Sequence, residues 1–136
     1  MYDNKIAIVI KDDLHNWQKL NVTAFLASSV AIQFPETHGK ALISASGSAY
    51  LPFFKHPILV YKADSDEQLQ RAFNRAKDRE LNIGIYTRAQ FDTKNEEQNI
   101  TEIAGHTDDD LDLVGIITYG PNKKVDKALD GLKFHL

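Results

Sequence analysis

Ile6-Ala7-Ile8-Val9-Ile10 is an unbroken apolar run, mostly of β-branched side chains. A strand exposed on one face alternates polar and apolar residues. An unbroken run needs both faces covered, which predicts a central strand in a sheet with helices on either side. Lys11-Asp12-Asp13 closes the run in a charged turn, and from about Trp17 to Phe34 the chain has neither Gly nor Pro. That stretch reads as the helix crossing back over the strand, stopped by Pro35, which biases Phe34 away from helical backbone. Leu20, Ala24, Ala27 and Ala31 recur in it at helical spacing. Such a stripe of mostly small side chains allows close approach to a packed sheet or helix.

The same alternation continues downstream. Ile58 to Tyr61 reads as a second buried strand. Ser65-Asp66-Glu67-Gln68 has the form of a capping box and opens a helix with Leu69, Ala72, Phe73 and Ala76 on its apolar face, ending near Glu80. Ile83 to Thr87 is a third strand. Thr93-Lys94-Asn95-Glu96 offers another capping box before a weaker helix bearing Ile100, Ile103 and Ala104, which Gly105 can close. Leu113 to Tyr119 is a fourth strand, turned by Gly120-Pro121 into a helix with Val125, Ala128, Leu129 and Leu132 on its buried side. This pattern predicts one domain over residues 1–136, a three-layer α/β/α arrangement with a mostly parallel or mixed four-stranded sheet and helices on both faces. Glu36 to Pro57, with Gly39, Gly47, Pro52, Pro57 and two histidines, is the least regular part; a binding loop or lid and an edge hairpin are both open there.

Composition excludes several chemistries. The chain contains no cysteine, so disulfides, thiolate metal sites and cysteine nucleophiles are ruled out together. A formal net charge of −3 gives no overall attraction to nucleic acid or anionic lipid. The opening apolar run is too short for a signal-peptide core or a membrane span, so a cytoplasmic, soluble protein without membrane contact is expected. Asp108, Asp109, Asp110 and Asp112 invite a divalent cation but lack the glycine and terminal glutamate of an EF-hand loop. The five histidines show no close zinc-type pairing, and the glycines form no phosphate loop, so neither metal nor cofactor is predicted. Ser46-Gly47-Ser48 is not a nucleophile elbow.

In an open α/β sheet, ligands bind beyond the carboxyl ends of strands, near helix N-termini. Two such ends carry polar residues here. The first holds Lys11, Asp12, Asp13, His15, Trp17, Lys19 and Asn21, and the fourth strand ends at Tyr119, Gly120, Asn122, Lys123 and Lys124. If these ends adjoin, they form a mildly basic cleft with an aromatic wall.

Lys5 to Ala27, the Pro57 to Ala63 strand and Asp112 to His135 together resemble an uncharacterised bacterial family, the domain of unknown function numbered two thousand. Its more specific marks are the run Trp17 to Ala27, Val114-Gly115-Ile116 and Gly120-Pro121. By fold that family is similar to the type-2 peptidyl-tRNA hydrolases. In those enzymes a lysine opens the first helix, and Lys19 looks like its counterpart, with Thr23 where they carry a glutamine. Their Gly-Pro turn and Gly-x-Leu-x-Leu ending are similar to Gly120-Pro121 and Gly131-Leu132-Lys133-Phe134. Their Asp-Ala-Gly-Arg-Thr segment has no match in Glu102 to Asp112. The resemblance therefore implies a fold more than a reaction.

Two functions follow as expectations. The first is a binding protein for a small anionic or peptide-like molecule in a cleft at the ends of the first and fourth strands. Its ligand-binding residues would be Trp17, Lys19, Asn21, Thr23, Tyr119 and Gly120. The second is a hydrolase of an ester or amide, with Lys19 as electrostatic stabiliser and Asp13 or His15 as general base. A homodimer is a third, structural expectation.

Overall fold

The computed structural model describes residues 2–136. The opening run forms β1 (Asn4–Lys11), and α1 (Asn16–Gln33) follows and stops at Phe34. A short 3-10 turn and a two-stranded hairpin, β2 (Leu42–Ile43) with β3 (Ala49–Tyr50), lead to β4 (Ile58–Ala63). Then come α2 (Asp66–Asp78), β5 (Asn82–Thr87), a 3-10 turn over Arg88–Asp92 and α3 (Glu96–Ala104). A second acidic 3-10 turn, β6 (Leu113–Pro121), α4 (Asn122–Ala128) and β7 (Lys133–Phe134) complete the chain.

The main sheet is mixed, in the order β5-β6-β1-β4-β7. Among the described residues only β1 and β4 run parallel; β6 is antiparallel to β1 and to β5, and β7 is antiparallel to β4. The sheet thus has five strands, where the sequence pattern predicted four. The missed strand is two residues long, too short for any hydrophobic period, and is delivered by the turn at Gly131, whose φ of +91° suits glycine. Among the described residues, no helix is long and apolar enough to cross a membrane.

Helices cover both faces. Ile6, Ile8 and Ile10 of β1 pack with Val22, Leu26 and Val30 of α1. Ala7 and Val9 face the other way, against Leu69, Ala72, Phe73 and Ala76 of α2 and Val125, Ala128 and Leu129 of α4. All five residues of the opening run are at most 1% exposed, which is why it carries no polar alternation. The stripe Leu20, Ala24, Ala27, Ala31 does not meet the sheet. The faces of a helix compete for one core, and the branched side chains Val22, Leu26 and Val30 bury more apolar area than alanines can. Ser65 caps α2 by accepting from the Gln68 amide at 3.1 Å, as the motif predicts. At α3 the cap is Asn95, accepting from the Gln98 amide at 2.9 Å, and not Thr93.

Glu36 to Pro57 forms an arm. Its root is closed by the Gly39 amide donating to the Phe53 carbonyl at 2.7 Å and the Lys55 amide to the Thr37 carbonyl at 2.9 Å. Beyond the root lies the β2–β3 hairpin, which joins no other sheet.

Candidate functional site

Because β6 is antiparallel to β1, Lys5 lies opposite Gly120 and Ile10 opposite Gly115. The carboxyl ends of the first and fourth predicted strands therefore lie at opposite edges of the sheet. The cleft expected between them does not form. Tyr119 is buried, its hydroxyl donating to Glu36 Oε2 at 3.2 Å and its ring packed 4.8 Å from Phe34. A Cβ on Gly120 would come within 2.5 Å of Leu81 Cδ2. Both residues lie at the other end of β1 from the Lys11–Asn21 turn.

At that turn the charges pair with one another. Lys11 is buried and bonded to Asp66, with Asp13 at 3.5 Å. Asp12 accepts from Lys19 Nζ at 3.0 Å, with Lys62 at 3.8 Å and His135 Nε2 at 3.6 Å. The Lys19 hydrogen bond, aided by the fields of Lys19, Lys62 and His135, holds the Asp12 carboxyl below its ordinary range. His15 stands at the start of α1, its amide donating to Gln18 Oε1 at 3.0 Å, and Thr23 spends its hydroxyl on the Lys19 carbonyl at 2.7 Å. Asp12 is present as carboxylate above the ordinary carboxyl range, and the pairing is lost as pH falls through its lowered folded value. Lys19→Ala is expected to move the Asp12 carboxyl back up toward its ordinary value, read by carbon-detected NMR titration.

Trp17 and Asn21 do enter a cleft. It lies between α1 and the segment after β5, has a volume of about 550 Å³, and is lined on one side by Trp17, Asn21 and Phe25. Across from them stand Tyr86, Gln90, Phe91, Thr93 and Asn99. The aromatic rings form a chain: Trp17 edge-on to Phe91 at 5.7 Å, Phe91 to Tyr86 at 5.1 Å, and Tyr86 to Phe25 at 5.9 Å. Burial pushes the Tyr86 phenol up, so it remains a neutral hydrogen-bonding group.

The polar wall is built of amides. Gln90 Oε1 accepts from the Thr87 amide at 2.8 Å, which ties the 3-10 turn to the end of β5. Asn99 Oδ1 accepts from Thr93 Oγ1 at 2.5 Å and from Gln90 Nε2 at 3.4 Å. With its oxygen doubly engaged, Asn99 keeps its Nδ2 donors for whatever enters, and among the described residues no partner satisfies the Asn21 amide. Lys94 and Glu96 bring one charge of each sign to the lining. The cleft is therefore aromatic, amide-rich and close to neutral.

The outer wall is pinned by an ion-pair cluster. His106, just past α3, contacts Asp110 Oδ2 at 2.8 Å and Glu102 Oε1 at 3.1 Å. The hydrogen bonds to Asp110 and then Glu102 raise its pKa above the ordinary imidazole value. A raised folded pKa means that this contribution is complete below the unfolded value and disappears as pH rises through the folded one. Protection factors for Glu96–Ala104 are expected to fall as pH rises from the ordinary imidazole value through the raised folded one, and Asp110→Asn should weaken that dependence, leaving the part owed to Glu102. Asp108 pairs with Lys77 at 2.7 Å and Asp112 with Arg88 at 3.3 Å, so most of the acidic run is engaged in such contacts.

Of the residues singled out in the sequence, Trp17 and Asn21 line the cleft. Lys11, Asp12, Asp13, His15, Lys19 and Thr23 are not part of its lining, Lys11 and Asp12 being engaged toward α2 and β4, and Tyr119 and Gly120 lie elsewhere. Missed were Phe25, Tyr86, Gln90, Phe91, Thr93 and Asn99. For Gln90, Phe91, Thr93 and Asn99 the signal was compositional, amide and hydroxyl side chains gathered around Phe91 at the approach to a weak helix, whereas Phe25 and Tyr86 lay in stretches read only as helix and strand.

Comparison with known proteins adds a lineage. Among curated proteins none matches. A solved structure of a protein of unknown function from Agrobacterium tumefaciens is similar at 34% identity, with a TM-score of 0.96 and all of both chains covered. The profile of a family described as proteins of unknown function, DUF2000, matches residues 4–136. This chain belongs to that family.

Proposed function

We propose that this protein binds a small, neutral, amide-bearing or peptide-like molecule in the cleft between α1 and α3. The observation that carries the reading is the pairing of an aromatic wall with amide groups, Asn21 and Asn99 Nδ2, that retain free donors toward about 550 Å³ of space. Trp17 and Phe91 supply the flat apolar surfaces, and the amides fix orientation. An anionic ligand is the poorer fit because Lys19, its expected counter-charge, already faces Asp12 at 3.0 Å. The kinship with type-2 peptidyl-tRNA hydrolases remains part of the proposal, resting on Lys19 and on the Gly120-Pro121 and Gly131-Leu132 segments.

Trp17 is the only tryptophan in the chain, so its fluorescence reports directly on the cleft. Titration with N-acetyl amino-acid amides and N-acetyl dipeptide amides is expected to give a saturable change in emission. Asn99→Ala should weaken it about tenfold, the value of one or two neutral hydrogen bonds. An emission unmoved by every member at ~10 mM, or binding that survives both Asn99→Ala and Phe91→Ala, would sink the reading. Hydrolysis of an amide bond in the same panel would instead favour the hydrolase, with Lys19, Asp13 and His15 to be substituted next.

A further inference from the structure

The outward face of α1 and the arm beside it carry large apolar side chains in water, those of the arm on both sides of its hairpin. From Leu20 to Phe54 the chain contains a single acid, Glu36, and a single base, Lys40, although 26% of all residues are charged. Solvated helices and hairpins owe their solubility to charge, and this stretch has almost none. The exposed residues are also large: Leu20 and Ile32 on α1, and Ile43, Tyr50, Leu51 and Phe53 on the arm, with Leu51 85% and Ile32 80% exposed. At ~200 Å² for a fully exposed large apolar side chain, these six leave on the order of 850 Å² in water. Ile43 and Tyr50 point to opposite faces of the hairpin, so this area is spread over the helix face and both sides of the arm. It matches the ~800 Å² that each partner buries in a standard specific interface.

We infer that this face is the twofold interface of a homodimer, α1 packing on α1 of a second copy while each arm reaches into the groove at the root of the other. Three features select a second copy as the occupant. Ala24, Ala27, Ser28 and Ala31 leave the middle of the helix face flat, which permits helix axes at the short end of the 8–10 Å range only when the facing helix is equally small there. The same stripe in a second copy meets that condition. Knob and hole also occur on one chain: the tip side chains Ile43, Tyr50 and Leu51 are bare, while a groove of about 650 Å³ lined by Ala27, Ala31, Pro52, Phe53, Phe54 and Ile58 lies at the arm's root. A twofold axis brings each tip to the other groove, as self-complementary contacts require. The near absence of charge is the third, since like meets like across such an axis and paired charges there would repel.

The arm itself needs this cover. Each of its strands is two residues long, and an isolated two-stranded hairpin is marginal in water. None of residues 40–53 is buried within its own copy.

Sedimentation equilibrium on the full chain from ~1 to ~100 µM tests the inference. A closed dimer is expected, its dissociation constant raised at least ~100-fold by Ala24→Glu in the helix stripe and, separately, by Ile43→Asp with Leu51→Asp in the arm. These three positions are exposed in the single copy, so circular dichroism should show each variant folded. A wild-type monomer at ~100 µM, a dimer that survives either substitution, or an open ladder of oligomers would each overturn the assignment.

Discussion

Gly115→Val is expected to cost at least ~3 kcal/mol and to leave a large fraction of the chain unfolded, because a side chain here has nowhere to go. A Cβ on Gly115 would stand 2.7 Å from Val22 Cγ1 and 3.2 Å from both Ile10 Cδ1 and Leu26 Cδ1. All three neighbours are branched and at most 1% exposed, so none can swing into solvent. Valine adds two further methyls to that clash. On the adjoining strand a Cβ at Gly84 would meet Ser29 Oγ at 2.5 Å and Ile117 Cγ2 at 2.7 Å. The two glycines let α1 lie close on β5 and β6, and that closeness sets where Trp17 and Phe25 stand in the cleft. Urea unfolding should show the midpoint falling at unchanged slope, with Gly115→Ala intermediate at ~1–3 kcal/mol. A Gly115→Val protein within ~1 kcal/mol of wild type would mean that the helix rides higher than described.

The second large effect concerns Lys11. Its ammonium is bonded to Asp66 and lies 3.5 Å from Asp13, with its side chain only 6% exposed, whereas the two carboxylates are 70% and 65% exposed. Burial lowers its pKa, but the Asp66 hydrogen bond and the fields of both carboxylates outweigh that, and the net shift is upward from 10.5. The ion pair thus stabilises the fold below 10.5 and is lost as pH rises through the folded value. The asymmetry of burial decides what each substitution does. Lys11→Met leaves two carboxylates that water can solvate, and should change stability by no more than ~1 kcal/mol. Asp13→Asn with Asp66→Asn strands a buried cation and should cost about 3 kcal/mol at neutral pH. In that double variant burial acts alone, the folded pKa drops below the unfolded one, and stability should rise with pH as the amine sheds its proton. Chemical denaturation at two pH values reads both signs, and equal costs for the two changes would refute the account.

What could be foreseen followed from what side chains declare locally. Ile6 to Ile10 announced a strand covered on both faces, Ser65 and Gln68 a helix start, and Pro35 a helix stop, because each effect acts within a few residues. Strand direction is not such a property. Leu113–Tyr119 is apolar whether it runs with β1 or against it, so the expected cleft was drawn from an orientation that side-chain pattern does not encode. The small-residue stripe on α1 misled for a related reason: periodicity reveals that a face is special, and the sheet went to the bulkier one. The amide wall escaped notice because Gln90, Thr93 and Asn99 act together only once the chain has folded around Phe91.

The place of β1 in the sheet has a consequence for how the chain is made. Its neighbours come from far along the chain: Ile6 pairs with Ile58 on one side and with Tyr119, more than a hundred residues away, on the other. During synthesis the apolar run emerges before both of its partners and waits with one edge bare until Leu113–Pro121 has been made. Such long-range closure is slow, and an unpaired apolar edge is where nascent chains stick to one another. The segment that commits the chain to an α/β sheet is also its principal aggregation hazard on the ribosome, and β6 is the strand that removes it.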